Sequence, residues 1–263
     1  MQIIGELINS SREEIKENAE KNNREFFEEL IKKQEEAGAN YIDINTGTFL
    51  EREQEKMDWL LEILKDVSDL PPCIDSPDPK VIEHSLEKVE GAAMINSISL
   101  EEERIKPILP LVKEYDAEVI ALCMDDEGMP ETADDRLRTV EGLADSFEKA
   151  GVGLEKVYFD PLIKPISVNQ EFGNEVLETV ASIRERYPET HITCGLSNIS
   201  YGLPQRKILN RAFLVLCMQA GMDSAIIDPL DTGLMGMLKA TQALLGNDQF
   251  CSEYLVFMRS LEE

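Results

Sequence analysis

The sequence predicts an α/β protein folded as a single (β/α)8 TIM barrel, and three observations carry the prediction. Short apolar or β-branched runs alternate with longer amphipathic, charge-rich segments along the whole chain, the pattern of parallel strands joined by helices. About eight such pairs fit into 263 residues, close to the usual size of a closed barrel. Three amphipathic segments end in Glu-Ala-Gly, Lys-Ala-Gly and Gln-Ala-Gly, at Gly38, Gly151 and Gly221. That phrase suits a helix that stops on a left-handed glycine and feeds a new strand. A doubly wound open sheet is the alternative arrangement.

Taken in order, the first strand falls at residues 2–8 and is followed by a helix at 11–37. That helix opens with Ser10 and Ser11 as capping hydroxyls and with Glu13 and Glu14 in its first turn, where carboxylates favour the positive helix end. Its apolar residues Phe26, Phe27, Leu30 and Ile31 recur at helical spacing. Strands follow at 41–45, 72–75, 92–97, 118–124, 156–160, 191–196 and 224–228. Helices follow them at 51–68, 79–90, 100–115, 132–150, 170–187, 205–220 and 234–245, with an extra segment near 252–261. Met57, Trp59 and Leu60 face the core of their helix, and Cys123 and Cys194 are expected to fill the barrel interior. No Ser/Gly linker, low-complexity tract or composition break divides the chain, so one domain is expected over residues 1–263.

Charge narrows the function classes. The chain has 26 Lys plus Arg against 52 Asp plus Glu, a net charge of −26. A nucleic-acid surface needs clustered cations and would here meet general repulsion, and Gln205-Arg206-Lys207 is too small a basic stretch to change that. The five cysteines are odd in number and widely spaced, with no C-x-x-C pair, and read as reduced thiols. With His84 and His191 as the two histidines, ligands for a structural zinc are scarce, and no protein-bound metal is expected. The start lacks a basic n-region, and the apolar run at 212–218 falls far short of a membrane span. The expectation is a soluble cytoplasmic protein without membrane contact.

In a barrel the chemistry gathers at the C-terminal ends of the strands. Those ends carry Glu6 and Asn9, Asp43 and Asn45, Asp75, Asn96, Asp125, Asp160, Asn198 and Asp228, with almost no cation among them. A phosphorylated sugar would call for a Gly-rich grip with Lys or Arg. A divalent-metal site would pair its carboxylates with a phosphate or enolate partner. A ring of carboxylate and amide acceptors instead suits a neutral, planar ligand rich in N–H donors. Each position also has a plainer role, since Asp or Asn just past a strand commonly caps a helix or forms a turn.

Several fragments in this order carry a resemblance: Gly5-Glu6-Leu7-Ile8-Asn9, Asp43-Ile44-Asn45, Ile74-Asp75-Ser76, Met94-Ile95-Asn96-Ser97, Phe159-Asp160-Pro161-Leu162 and Gly195-Leu196-Ser197-Asn198-Ile199-Ser200. Together they resemble the pterin-binding barrels, and most nearly the methyltetrahydrofolate:corrinoid protein methyltransferases, from Gly5 to about Asp231. Dihydropteroate synthase and the folate module of cobalamin-dependent methionine synthase are related barrels. The chain resembles the free-standing type. Two places depart from the pattern: Asp125 stands where relatives carry an amide, and Tyr201-Gly202-Leu203-Pro204-Gln205-Arg206 is only loosely similar.

The resemblance implies that Asp75, Asn96 and Asp160 hydrogen-bond the pterin ring of tetrahydrofolate or methyltetrahydrofolate, Asp160 facing its amino and ring N–H edge. It places Asn198 beside N5 as the catalytic residue. Glu6, Asn9 and Asp43 lie on matching strand ends, as pterin contacts or as braces for the loops. It also implies a corrinoid protein as partner, carrying the cobalamin, and a homodimer. Transfer of the methyl from N5 to cobalt(I) needs N5 to gain a proton or hydrogen bond as the bond breaks; no histidine is placed to supply it, so Asn198 is expected to donate one that strengthens towards the transition state. Lys164 and Arg206 are the cations nearest in sequence to the site and are candidates for the folate glutamate carboxylates.

Three other readings compete. A dihydropteroate synthase would need a basic constellation such as S-x-R near the last strand, which here ends Ile226-Ile227-Asp228-Pro229-Leu230-Asp231. A non-catalytic folate-binding module would bind folate without accelerating methyl exchange. A metal-dependent aldolase or hydratase barrel would lose activity on chelation and regain it on adding metal back.

Overall fold

The eight strands are β1 (Gln2–Asn9), β2 (Tyr41–Asn45), β3 (Pro72–Asp75), β4 (Met94–Ser99), β5 (Glu118–Leu122), β6 (Val157–Asp160), β7 (His191–Ile192) and β8 (Ser224–Ile227). In the computed structural model, which describes residues 1–261, they pair in parallel in the order β7-β6-β5-β4-β3-β2-β1-β8. The barrel closes where Gly195 bridges to Ile226, with the Ile226 N–H donating to Cys194 O at 3.0 Å. The predicted (β/α)8 barrel is the observed fold. Glu262 and Glu263, the last two residues of the expected domain, lie outside the described residues.

Parallel strands buried on both faces need apolar residues on both. Ile4, Tyr41, Cys73, Met94, Ile120 and Tyr158 make a small inner cluster, one residue from each of six strands. The larger cluster lies between strands and helices and contains Cys123 and Cys194, the latter with Sγ 3.4 Å from Met222 Sδ. Both thiols are therefore outside the barrel wall, and Cys73 is the one inside.

The helices are α1 (Glu13–Glu20), α2 (Arg24–Glu36), α3 (Glu53–Val67), α4 (Pro79–Lys88), α5 (Glu102–Glu114), α6 (Ala133–Ala150), α7 (Phe172–Arg186), α8 (Arg206–Ala220), α9 (Thr232–Leu244) and α10 (Ser252–Ser260). Gly38, Gly151 and Gly221 have φ of +96°, +74° and +115°, as their recurring phrase predicts. The first helix differs from expectation. It divides into α1 and α2 at Asn22, whose φ is +50° and whose Oδ1 accepts from the buried Lys56 Nζ at 2.7 Å. Asparagine visits this region more readily than most residues, so Asn22-Asn23 was the signal for the break. Neither Ser10 nor Ser11 caps α1: the cap position is Arg12, and Ser10 Oγ turns towards the mouth, where it donates to Asn45 Oδ1 and accepts from the Thr48 N–H, both at 3.2 Å.

Strand β7 is shorter than predicted. The Gly195 N–H faces the Asp160 carboxylate, and the chain then enters a 3-10 turn over Leu196–Ser200.

Candidate active site

The C-terminal parts of β2, β3, β4 and β6 bring Asp43, Asp75, Asn96 and Asp160 to one mouth: Asp75 and Asp160 close their strands, while Asp43 lies two residues before the end of β2 and Asn96 three before the end of β4. Asn45 pairs with Asp75 across β2 and β3, and Asp75 with Asn96 across β3 and β4. The two amides reach the two carboxylates in a crossed pattern. Asn45 Nδ2 donates to Asp75 Oδ2 at 2.9 Å, and Asn96 Nδ2 donates to Asp43 Oδ1 at 3.1 Å. Asn45 Oδ1 accepts from Ser10 Oγ and from the Gly47 N–H, both at 3.2 Å, so the amide's orientation is fixed from both ends. The peptide bond joining Asn96 to Ser97 is cis.

Burial dominates the electrostatics. It pushes Asp75 up to about 6, with Glu53 adding to the rise and Asn45 and Arg104 opposing it. Asp160 is pushed up to about 6 by burial, against N–H donation from Leu162 and Gly195 and the charge of Arg136. Asp43 is raised well above the ordinary carboxylate range by burial and by Asp75, so the Asp43–Asp75 pair favours holding a proton. Two carboxylates that ionise near neutrality and a third inclined to stay neutral make a site able both to accept from ligand N–H groups and to donate.

The loop after β6 is fixed by Arg136, which is fully buried. Its Nε donates to Pro161 O at 2.6 Å, its Nη1 to Thr132 O at 3.0 Å and its Nη2 to Leu162 O at 3.3 Å. This holds Leu162 at φ +58°, where its N–H donates to Asp160 Oδ1 at 2.8 Å. Asn198 lies in the 3-10 turn after β7, its N–H donating to Gly195 O at 3.2 Å while its side chain is exposed. Gly195 thus lies between the two residues, its N–H facing Asp160 and its carbonyl accepting from the Asn198 N–H. A Cβ at Gly195 would come within 3.2 Å of Asn198 Nδ2, so a side chain there would push the Asn198 amide by a few tenths of an ångström.

The remaining predicted positions divide. Glu6 lies at the mouth, its carboxyl raised by burial and held by Arg12 Nη2 at 3.0 Å. It borders a cavity of about 150 Å3 shared with Ser197, Lys207, Asn210 and Asp231. Asn9, Asp125 and Asp228 shape local turns, accepting from the N–H groups of Ser11 (3.0 Å), Glu127 (3.0 Å) and Leu230 (2.8 Å). Arg206 donates to Ser197 O at 2.7 Å and to Ser200 Oγ at 3.1 Å, which commits it to the Asn198 turn rather than to a ligand carboxylate. Lys164 lies 5.1 Å over the Phe172 ring and 4.0 Å from Glu131.

Asn45 and Arg136 carry more of the site than their sequence positions suggest. Asn45 had a signal, since it shares a strand face with Asp43; a buried arginine inside an ordinary amphipathic helix had none. A larger cavity of about 610 Å3 lies at the opposite end of the barrel beside Pro71, Pro72 and Ala92. It holds none of the strand-end carboxylates, and conserved chemistry in this architecture belongs to the other end, so the mouth is the candidate site. Among the described residues, no group of three or more His, Cys, Asp or Glu is placed to hold a metal ion, and no helix is long and apolar enough to cross a membrane.

A pterin pocket is what this fold and acceptor set define, and residues 5–228 match the pterin binding enzyme family. The chain belongs to that family. It is 37% identical over 257 residues, 97% of its length and 94% of the relative's, to the methylcorrinoid:tetrahydrofolate methyltransferase of Eubacterium limosum. It is 33% identical over 211 residues to the methionine synthase of Mycobacterium tuberculosis, covering 76% of this chain and 18% of that longer protein. Among solved structures it superposes on the dihydropteroate synthase of Vibrio fischeri with a TM-score of 0.69 at 15% identity, over 93% of each chain. The Xanthomonas albilineans dihydropteroate synthase in complex with 7,8-dihydropteroate gives 0.68 at 17% identity, over 93% of this chain and 92% of that one. At such identities the likeness is one of fold.

Proposed function

We propose that the protein is a methyltransferase that moves a methyl group between N5 of tetrahydrofolate and the cobalt of a corrinoid held by a separate protein. The observation that carries this reading is the mouth itself, where acceptor carboxylates at Asp75 and Asp160 stand with the exposed amide of Asn198, linked through Gly195. The full-length similarity to a methylcorrinoid:tetrahydrofolate methyltransferase supports it.

In this mechanism Asp75, Asn96 and Asp160 bind the pterin by its N–H and carbonyl edge, while Asp43, Glu6 and Asn9 brace the strand ends. Cobalt(I) of the partner supplies the electron pair for the new cobalt–carbon bond. The N5–carbon pair stays on nitrogen, which takes up a proton overall. Asn198 donates a hydrogen bond to N5 as that charge develops, a contact stronger in the transition state than in the ground state. The reverse direction uses the same groups. No protein-bound metal enters these steps; the cobalamin is the partner's.

The partner protein that carries the corrinoid would dock over the mouth. The mouth loops after β2, β5, β6, β7 and β8 each expose one large apolar side chain, at Leu50, Met129, Val168, Tyr201 and Leu230. With so acidic a chain, apolar contact rather than charge steering suits that docking. Five unpaired cysteines, four of them buried, fit a reducing cytoplasm.

Self-association into a homodimer is supported on another face. Leu216, Met237, Leu244, Phe250, Leu255 and Val256 are exposed on or beside α8, α9 and α10, and α8 and α9 contain no Asp or Glu. Elsewhere the net charge of −26 opposes contact between copies. Sedimentation is expected to give twice the chain's mass, and Leu244→Glu with Phe250→Glu to give the monomer. A monomeric wild type at micromolar concentration would refute the dimer.

Calorimetry in EDTA tests the folate reading. Tetrahydrofolate or its N5-methyl form is expected to bind without added metal, and binding that appears only with a divalent ion would sink the proposal.

A further inference from the structure

Three arginines spend their guanidinium groups on carbonyl oxygens of the mouth loops. Arg206 serves the loop after β7 and Arg136 ties the loop after β6 to the start of its own helix, whereas Arg104 of α5 joins the loop after β3 to the end of β4. Its Nε donates to Ser97 O at 2.7 Å, its Nη1 to Pro77 O at 2.7 Å and its Nη2 to Ser76 O at 2.8 Å. Ser76 and Ser97 directly follow Asp75 and Asn96, the last pair in the ladder between β3 and β4. One backbone bond continues beyond that pair, from Ser76 N–H to Asn96 O at 3.2 Å. Where the ladder stops, the arginine fork therefore takes over and closes the seam between two ligand-facing residues.

We infer that Arg104 is a positioning residue of the folate site, one that fixes Asp75 against Asn96 and places a positive charge facing Asp75. The inference rests on the folate reading of the mouth. All three kinds of guanidinium nitrogen are used, in a rigid planar arrangement that a lysine ammonium on its flexible stem does not reproduce. Among the described residues, the charged groups facing Asp75 are Asp43 from β2, Glu53 at the start of α3 and Arg104 from α5, with the amides Asn45 and Asn96 beside it. Arg104 itself also faces Asp78 and Glu101. Without the cation, burial and the Glu53 carboxylate are opposed by the Asn45 donation alone, and the neutral form of Asp75 gains. A protonated Asp75 gives up an acceptor that the pterin N–H groups need.

The test is calorimetric folate affinity as a function of pH for the wild type, Arg104→Gln, Arg104→Lys, Asp75→Asn and the Arg104→Gln/Asp75→Asn pair. Arg104→Gln is expected to bind about tenfold more weakly at neutral pH, several-fold of it from the lost fork and about twofold from protonation of Asp75, and to lose affinity on acidification about one pH unit earlier than the wild type. Arg104→Lys keeps the charge and the wild-type acid limb but binds several-fold more weakly for want of the fork. In the Asp75→Asn background, Arg104→Gln no longer moves the acid limb. A purely structural role predicts instead that affinity and melting temperature fall together with the acid limb unmoved, and that result overturns the inference. So does Arg104→Gln with wild-type affinity. If Arg104→Gln does not fold, Arg104→Lys decides: weaker binding at an unchanged melting temperature supports the inference, and wild-type affinity, or affinity that falls together with melting temperature, overturns it. A wild type that binds no folate at any pH overturns the folate reading itself, whereas a wild type that binds normally beside an unaffected Arg104→Gln overturns this inference alone.

Discussion

Asn198→Ala is expected to lower the single-turnover rate of methyl transfer by about 10²-fold while changing folate affinity far less, because its contact with N5 strengthens chiefly in the transition state. The structure gives this residue what the role needs. Its backbone is fixed by the turn and by Arg206, which holds Ser197 O at 2.7 Å, while the amide faces solvent at the mouth. An amide can accept from an N–H on one side of the reaction and donate to a nitrogen lone pair on the other. If Asn198 serves only the turn, melting temperature and folate affinity fall together and the rate at saturating folate stays at the wild-type value. Measuring all three quantities separates the outcomes, and an unchanged saturating rate ends the catalytic assignment.

Asp160→Ala is expected to weaken folate binding by about 1–3 kcal/mol through loss of a charge-assisted hydrogen bond. The effect depends on pH. Asp75 and Asp160 ionise at about 6, so wild-type affinity falls as pH drops through that value, and Asp160→Ala flattens part of the fall. Stability of the ligand-free protein runs the other way. A carboxyl whose proton is held more tightly in the folded than in the unfolded chain destabilises the fold when ionised; that cost is full above about 6 and is relieved as pH falls towards the ordinary value of 3.8. These groups therefore raise the ligand-free melting temperature on mild acidification while folate affinity declines. Calorimetry and thermal unfolding across the same pH range check both signs, and parallel pH profiles would contradict the assignment.

The barrel was legible because its signals are local and repeat. Strand ends such as Asp75 and Asp160 close apolar runs, and Gly38, Gly151 and Gly221 mark helix ends with a conformation that favours glycine. What stayed hidden depends on contacts between distant segments. The break at Asn22 is completed by Lys56, and Gly195, past the early end of β7, faces Asp160 of β6. The site was legible as a set of acceptors but not as a network. Residue types show that Asn45, Asp75, Asp43 and Asn96 are polar; only the register between strands pairs them crosswise. Arg206 illustrates the limit in the other direction, since its charge suggested a ligand carboxylate and its neighbours in space are a carbonyl and a hydroxyl of the Asn198 turn.

The central claim is methyl exchange between folate and a corrinoid, and the most direct measurement uses free cobalamin in place of the partner protein. Cobalt(I) cobalamin and methyltetrahydrofolate are mixed under strictly anaerobic conditions in EDTA, and the visible spectrum follows conversion to methylcobalamin. The account predicts conversion that depends on the protein and on the folate, and that falls about 10²-fold with Asn198→Ala. Folate binding without any protein-dependent methylation of cobalamin, or of a corrinoid protein supplied as partner, would contradict it and leave a binding module.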